Sequence, residues 1–254
     1  MRTSVGLSCR LSSWLGDYMS RPFAGFAPPV AYSAAQLGSV LQPGDVLLVE
    51  GNLRINSLIK YITRSMWSHL ALYVGTHPGA RVDDPPVLVE AELGEGVILS
   101  PPSRYVWFHT RICRAVGLRP DDRERLVSHA IGRLGHGYDF QNVIDLARDR
   151  LSRPSVAATQ KFGLRALGSG TSTTAICSTL IAQAFQSVRY PILPARRETP
   201  CADTSSAEDC TEEAREARHY STCASRDFDV SPYFTVVKPP PMESFDCTQA
   251  RWAK

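Results

Sequence analysis

The chain has 254 residues, 43% of them hydrophobic and 21% charged, with Lys+Arg 28 against Asp+Glu 25 and a formal net charge of +3. That length and apolar content supply the core of one large domain with appendages, and exclude a wholly disordered or fibrous chain. The near balance of charge leaves no nucleic-acid footprint, and no apolar run reaches the roughly 18 residues that a membrane span needs.

The N-terminal stretch MRTSVGLSCRLSSWLGDYMS lacks the continuous apolar core of a secretory signal, so a cytoplasmic or otherwise unexported chain is expected. Residues 1–40 read as a loose extension, because Pro22, Gly25, Pro28 and Pro29 break any long periodicity. From Leu41 the pattern tightens. Pro43-Gly44-Asp45 is a turn and Val46-Leu47-Leu48-Val49 a short apolar strand. Leu58, Ile59 and Ile62 are at helical spacing within a helix over 53–64. Ser68 to Gly75 alternates, with His69, Ala71 and Tyr73 on one side and Leu70, Leu72 and Val74 on the other. Strands over 87–92, 96–99 and 111–116 complete an antiparallel run.

Asp121 or Asp122 then caps a helix with Leu126, Val127, Ala130, Ile131 and Leu134 at spacings of three and four. Gly135, Gly137 and Tyr138-Asp139-Phe140 end it. Residues 141–151 read as another short helix and 154–170 as a loop or lid. Cys177, Leu180, Ile181, Ala184 and Phe185 form one face of a helix that starts at or just before the cysteine. Residues 195–222 are charged and polar and read as a surface insertion, and Phe234-Thr235-Val236-Val237 as a last strand. The domain therefore spans 41–240, with a tail at 241–254.

Of the seven cysteines, Cys9, Cys113 and Cys177 stand apart, while Cys201, Cys210, Cys223 and Cys247 crowd the last 54 residues. That last group is open between one or two disulfides and reduced thiols. No C-x-x-C pair and no Cys/His cluster at zinc-finger spacing occurs, so no structural metal is expected. No phosphate loop, G-x-G-x-x-G or G-x-S-x-G appears either, and no cofactor is implied.

Cys177 is the most informative residue. A helix N-terminus carries partial positive charge and free N–H groups, which favour a thiolate, and a nearby imidazole would complete an ion pair. Taken alone, a cysteine on an apolar helix face is more often a small buried hydrophobe. His69, in the phrase Trp67-Ser68-His69, must find a buried partner or face a cleft. Glu90, in the middle of the next strand, is costly to bury unpaired, and an imidazole on the neighbouring strand would suit it. Glu92 shares its face and competes for that role, and an edge strand with solvated acids would need no imidazole at all. His77, His109, His129, His136 and His219 fall in loops or on polar helix faces.

The stretch RINSLIKYITRSMWSHLALYVG over 54–75, LVEAE at 88–92, GHGYDF at 135–140, ICSTLIAQAF at 176–185 and DFDVSPYFTVV at 227–237 together resemble the YiiX/YebB-like branch of the NlpC/P60 cysteine hydrolases. The resemblance covers about 41–195 and 225–240. It implies an α+β, circularly permuted papain-like fold, with an antiparallel sheet packed against helices and the histidine strand ahead of the cysteine helix. It also implies Cys177 as nucleophile, His69 as general base, Glu90 as the orienting third residue and Tyr138 as a substrate-lining side chain. Relatives often carry Y-C-S-E-L where this chain has Ile176-Cys177-Ser178-Thr179-Leu180, a difference that bears on substrate preference. The implied activity is cleavage of an amide or ester in a small-molecule, peptide or lipid substrate through an acyl-enzyme. A lipid acyltransferase or thioesterase of the same fold, and an idle binding module, are the competing readings.

Overall fold

The structure is a computed structural model that describes residues 32–75, 87–92, 95–138, 174–175, 177–194, 220 and 223–239. Its described elements, in chain order, are α1 (Ala34–Val40), β1 (Val46–Glu50), α2 (Arg54–Thr63), β2 (His69–Tyr73), β3 (Leu88–Glu92), β4 (Gly96–Ser100), a 3-10 turn (Pro102–Tyr105), β5 (His109–Ala115), α3 (Pro120–Ile131), β6 (Gly137–Tyr138), β7 (Thr174–Ala175), α4 (Cys177–Ser187), α5 (Ser225–Asp229) and β8 (Phe234–Val237).

Six of these strands form one sheet in the order β4-β3-β2-β1-β5-β8, every neighbouring pair antiparallel. The apolar alternation of β1 and β2 is what splits the core in two, because successive side chains leave a strand on opposite faces. On one face Val46, Leu48, Leu70 and Leu72 pack with Leu126 and Ala130 of α3, Leu180, Ile181 and Phe185 of α4, and Phe228 of α5. On the other, Leu47, Val49, Ala71, Leu88 and Ile112 pack with Leu37 of α1 and Tyr105 of the 3-10 turn. The domain is thus α+β, an antiparallel sheet with helices on both faces.

Several local expectations change. Residues 34–40 form a helix rather than part of a loose extension. Ser33 caps it, the Ser33 hydroxyl accepts from the Gln36 N–H and the Gln36 side chain accepts from Ser33, and Leu37 is fully buried against the sheet. The prolines that suggested irregularity all precede that cap. Helix α3 starts one residue before Asp121, with Arg119 as N-cap and Pro120 in the first position, where a missing N–H costs nothing. Asp121 and Asp122 lie inside its first turn and complement the helix dipole instead of capping it. Strand β3 has neighbours on both sides, so its acids are not on a solvated edge. His109 is the first residue of β5, not a loop residue. The helix expected over 141–151, the lid over 154–170 and the insertion at 195–222, Tyr220 apart, lie outside the described residues.

A short second sheet connects the main sheet to the start of α4. Val97 N–H donates to the His136 carbonyl at 2.8 Å, and Gly135 N–H donates to the Val97 carbonyl at 2.9 Å. Strand β6 then pairs in parallel with β7, Gly137 opposite Thr174 and Tyr138 opposite Ala175. Gly96 makes this approach feasible: its φ is +79°, and a Cβ there would lie 2.2 Å from the His136 carbonyl oxygen. Gly96→Ala is expected to cost about 1–3 kcal/mol from the backbone conformation alone, and more from the clash with main chain. Urea unfolding of the variant measures it, and an unchanged midpoint would mean that β6 does not depend on this contact.

Candidate active site

Trp67, Ser68 and His69 enter β2 with three different anchors. Trp67 is fully buried; its indole N–H donates to Asp229 Oδ2 at 3.0 Å, and its ring lies 5.0 Å from the His109 ring and under the Arg111 guanidinium at 5.1 Å. The Ser68 hydroxyl accepts from the Gly51 N–H at 3.0 Å, and the Ser68 N–H donates to the Val49 carbonyl at 3.1 Å. His69 is thereby fixed as the first residue of the strand, with 19% of its side chain exposed.

The acid that reaches His69 is Glu90, which is only 1% exposed. Its Oε2 accepts from His69 Nε2 and from the Tyr105 hydroxyl, while Arg104 Nη1 stands 3.6 Å from Oε1. The strand register pairs Ala71 with Glu90, so the imidazole meets the carboxylate on a diagonal. Glu92 pairs with Arg104 instead. Both acids share a face, and Arg104 and Tyr105, contributed by the 3-10 turn, separate their roles.

Cys177 opens α4, which packs on β2 and β3. It is a free cysteine, 7% exposed, and its side chain lies close enough to the His69 ring to raise that histidine's pKa. Since Nε2 is committed to Glu90, Nδ1 is the ring nitrogen left for the thiol. The structure therefore brings Cys177, His69 and Glu90 together. The Tyr138 backbone is held opposite Ala175, two residues before Cys177, but its side chain lies outside the described ones.

Charge follows from this geometry. Burial of the His69 ring pulls its pKa down, yet the Glu90 carboxylate and the Cys177 side chain outweigh burial and raise it to about 10. Burial likewise pushes Glu90 up, and the His69 charge together with hydrogen bonds from His69, Ser100 and Tyr105 reverses that, lowering it to about 2. At neutral pH the pair is an imidazolium and a carboxylate. The other described thiols differ in setting. Cys223 is buried, and at Cys113 burial, reinforced by Asp229, pushes the thiol up to about 12. Cys201, Cys210 and Cys247 lie outside the described residues.

Sequence reasoning missed Tyr105, Arg104 and Asp229. The first two follow Pro101-Pro102, a turn signal that marks where the chain bends but not what it contacts. Asp229 reaches Trp67 across 162 residues, which no local pattern reports. Among the described residues no group of three or more His, Cys, Asp and Glu side chains is arranged to hold a metal ion, and no helix is long and apolar enough to cross a membrane.

No protein-family model matches the chain, and no curated protein does. Among solved structures it is similar to the crystal structure of the metalloprotein YiiX from Escherichia coli O157:H7, at a TM-score of 0.48 and 16% sequence identity, over 78% of this chain and 97% of that one.

The depressed Glu90 pKa makes its contribution to stability full above its ordinary 4.5 and lost as pH falls toward about 2. The raised His69 pKa makes its contribution full below its ordinary 6.5 and lost as pH rises through about 10. Glu90→Gln is therefore expected to destabilise by about 3–5 kcal/mol between those ordinary values, with the deficit shrinking toward both extremes. Urea unfolding of both proteins across pH measures it. A deficit independent of pH would mean that the two groups are not charged partners.

Proposed function

We propose that the protein is a thiol hydrolase that cleaves an amide or ester bond through an acyl-enzyme on Cys177. The observation that carries this reading is the His69 ring held between a buried carboxylate at Nε2 and the Cys177 thiol at the start of a helix. A carboxylate on one ring nitrogen fixes the imidazole's orientation and stabilises its charged form, leaving the other nitrogen to exchange a proton with the nucleophile.

With the Cys177 proton already resting on His69 Nδ1 as a thiolate–imidazolium pair, Sγ attacks the substrate carbonyl carbon, forming the C–S bond and an oxyanion. The Cys177 N–H, at the helix start and outside the intrahelical ladder, donates to that oxyanion. Collapse breaks the bond to the leaving nitrogen or oxygen, which takes the Nδ1 proton and departs, leaving a thioester. Water then attacks the thioester carbonyl and gives its proton to His69. The second collapse releases the acid and returns the thiolate–imidazolium pair. Glu90 stays ionised throughout and holds the ring. Tyr138 is the substrate-lining residue in this reading, and peptide and lipid-linked acyl groups are the substrate classes we assign.

The test is acylation by p-nitrophenyl acetate followed by peptide mass analysis. An acetyl group on the peptide containing Cys177 is expected in the wild type and its absence in Cys177→Ala. His69→Ala should slow acylation roughly 10²- to 10⁴-fold, the usual worth of a positioned acid–base group. Acetylation of other residues at equal rates, indifferent to His69, would defeat the reading and favour a binding module. With Glu90→Gln and Glu92→Gln compared, the larger loss should fall on Glu90, because Glu92 is engaged by Arg104; equal losses would remove Glu90 from the assignment.

A further inference from the structure

We infer that Tyr105 is a positioning residue for this site: its hydroxyl and ring hold the Glu90 carboxylate and the His69 imidazole in the one mutual orientation that serves Cys177. The inference rests on the thiol-hydrolase reading above and concerns how its proton carrier is kept in place.

Three observations converge on Tyr105. Its hydroxyl donates to Glu90 Oε2, the same oxygen that accepts from His69 Nε2. Its ring lies against the His69 ring, with centroids 6.2 Å apart and planes within 28° of each other. The residue itself is 4% exposed, packed in the smaller core and in edge contact with Phe108 at 6.0 Å. A carboxylate on a strand has free rotation at its last bond, and one hydrogen bond from a mobile imidazole does not fix it. A second donor on the same oxygen, carried by a side chain locked in the core, does. The stacked ring removes the remaining freedom, rotation of the imidazole away from Cys177.

The hydroxyl suits this duty because burial, reinforced by the Glu90 charge, raises its pKa well above the ordinary tyrosine value, so it stays a donor whenever the site is charged. The charged and polar groups around Glu90 are His69 from β2, Glu92 from β3, Ser100 from β4, and Arg104 and Tyr105 from the 3-10 turn. Arg104 supports Oε1 at 3.6 Å while paired with Glu92 and donating to the Ser100 hydroxyl at 3.2 Å. The turn thus serves both carboxylate oxygens with consecutive residues. Tyr105 is the member whose contact is shared with the histidine.

The experiment uses Tyr105→Phe, which keeps the ring and its packing and removes the hydroxyl. Cys177 alkylation by iodoacetamide is followed across pH by peptide mass analysis in wild type, His69→Ala and Tyr105→Phe, and the His69 ring is titrated by NMR. Wild type is expected to react at a pH where His69→Ala does not. Tyr105→Phe should lose roughly ten- to hundredfold of that low-pH rate, the usual worth of a hydrogen bond to a charged group, and its His69 midpoint should fall. A purely structural tyrosine would shift the unfolding temperature and leave both titrations alone. Arg104→Gln, at a partly exposed position, is the second variant and should lower the low-pH alkylation rate by less, without lowering the His69 midpoint, because it removes a cation beside the pair. If wild type shows the low-pH reactivity and neither variant changes it, the positioning role is overturned while the hydrolase reading stands. If wild-type Cys177 reacts as an ordinary thiol, the hydrolase reading fails and takes this inference with it.

Discussion

A carboxylate buried to 1% exposure in the interior of a sheet is the constraint on which the rest of this molecule depends. An isolated buried charge costs far more than any single packing contact returns, so the fold must either neutralise Glu90 or surround it with donors. It does the second. The imidazole comes from β2 and a hydroxyl from the 3-10 turn, both at Oε2, while the Arg104 guanidinium of that turn lies 3.6 Å from Oε1 and donates to the Ser100 hydroxyl at the end of β4. These elements are set by strand order and register, so the requirement that Glu90 be satisfied fixes the relative placement of β2, β3, β4 and the turn at once. Loss of any donor leaves a charge that water cannot reach, which is why the site and the fold are coupled here.

The strand alternation was legible because it is a local, period-two signal. It placed His69, Ala71 and Tyr73 on one side of their strand and Leu70, Leu72 and Val74 on the other, and the helix that starts at Cys177 followed from its apolar face in the same way. What local pattern could not supply was the choice between Glu90 and Glu92, which have the same parity and the same neighbours. That choice is made by Arg104 and Tyr105, more than ten residues along the chain, through a turn whose sequence announces only a bend. The anchor of Trp67 by Asp229 is more distant still. Helix α1 is a different kind of miss. Ser33 and Gln36 spell a capping box, a readable signal, but the prolines before it drew the whole segment into one irregular class.

The two cores explain how separate elements deliver one cluster. Glu90 and His69 leave their strands on the face covered by α1 and the 3-10 turn, the face of Ala71 and Leu88. Helix α4 packs on the opposite face, against the layer of Leu70 and Leu72. A histidine in the middle of β2 would be separated from Cys177 by the sheet itself. As the first residue of the strand, His69 stands where the sheet ends, and its ring reaches both layers.

That placement makes the entry to β2 as important as the clustered side chains themselves. The position of His69 is set by the two residues before it, and each is tied to a different part of the domain: Ser68 to the end of β1, Trp67 to α5 and β5. The polar groups at this end of the opposite face form a linked series. Lys60 pairs with Glu50 at 2.9 Å, Glu50 meets His109 at 3.3 Å, and Arg111 pairs with Asp229 beside the buried indole. Such a series contributes little as separate exposed pairs. Its value lies in direction, since it fixes the indole, and a fixed indole allows β2 only one starting point. A shift of one residue in that start would carry the imidazole to the other face and away from Glu90, so the register of β2 and the identity of the histidine's partner are one and the same choice.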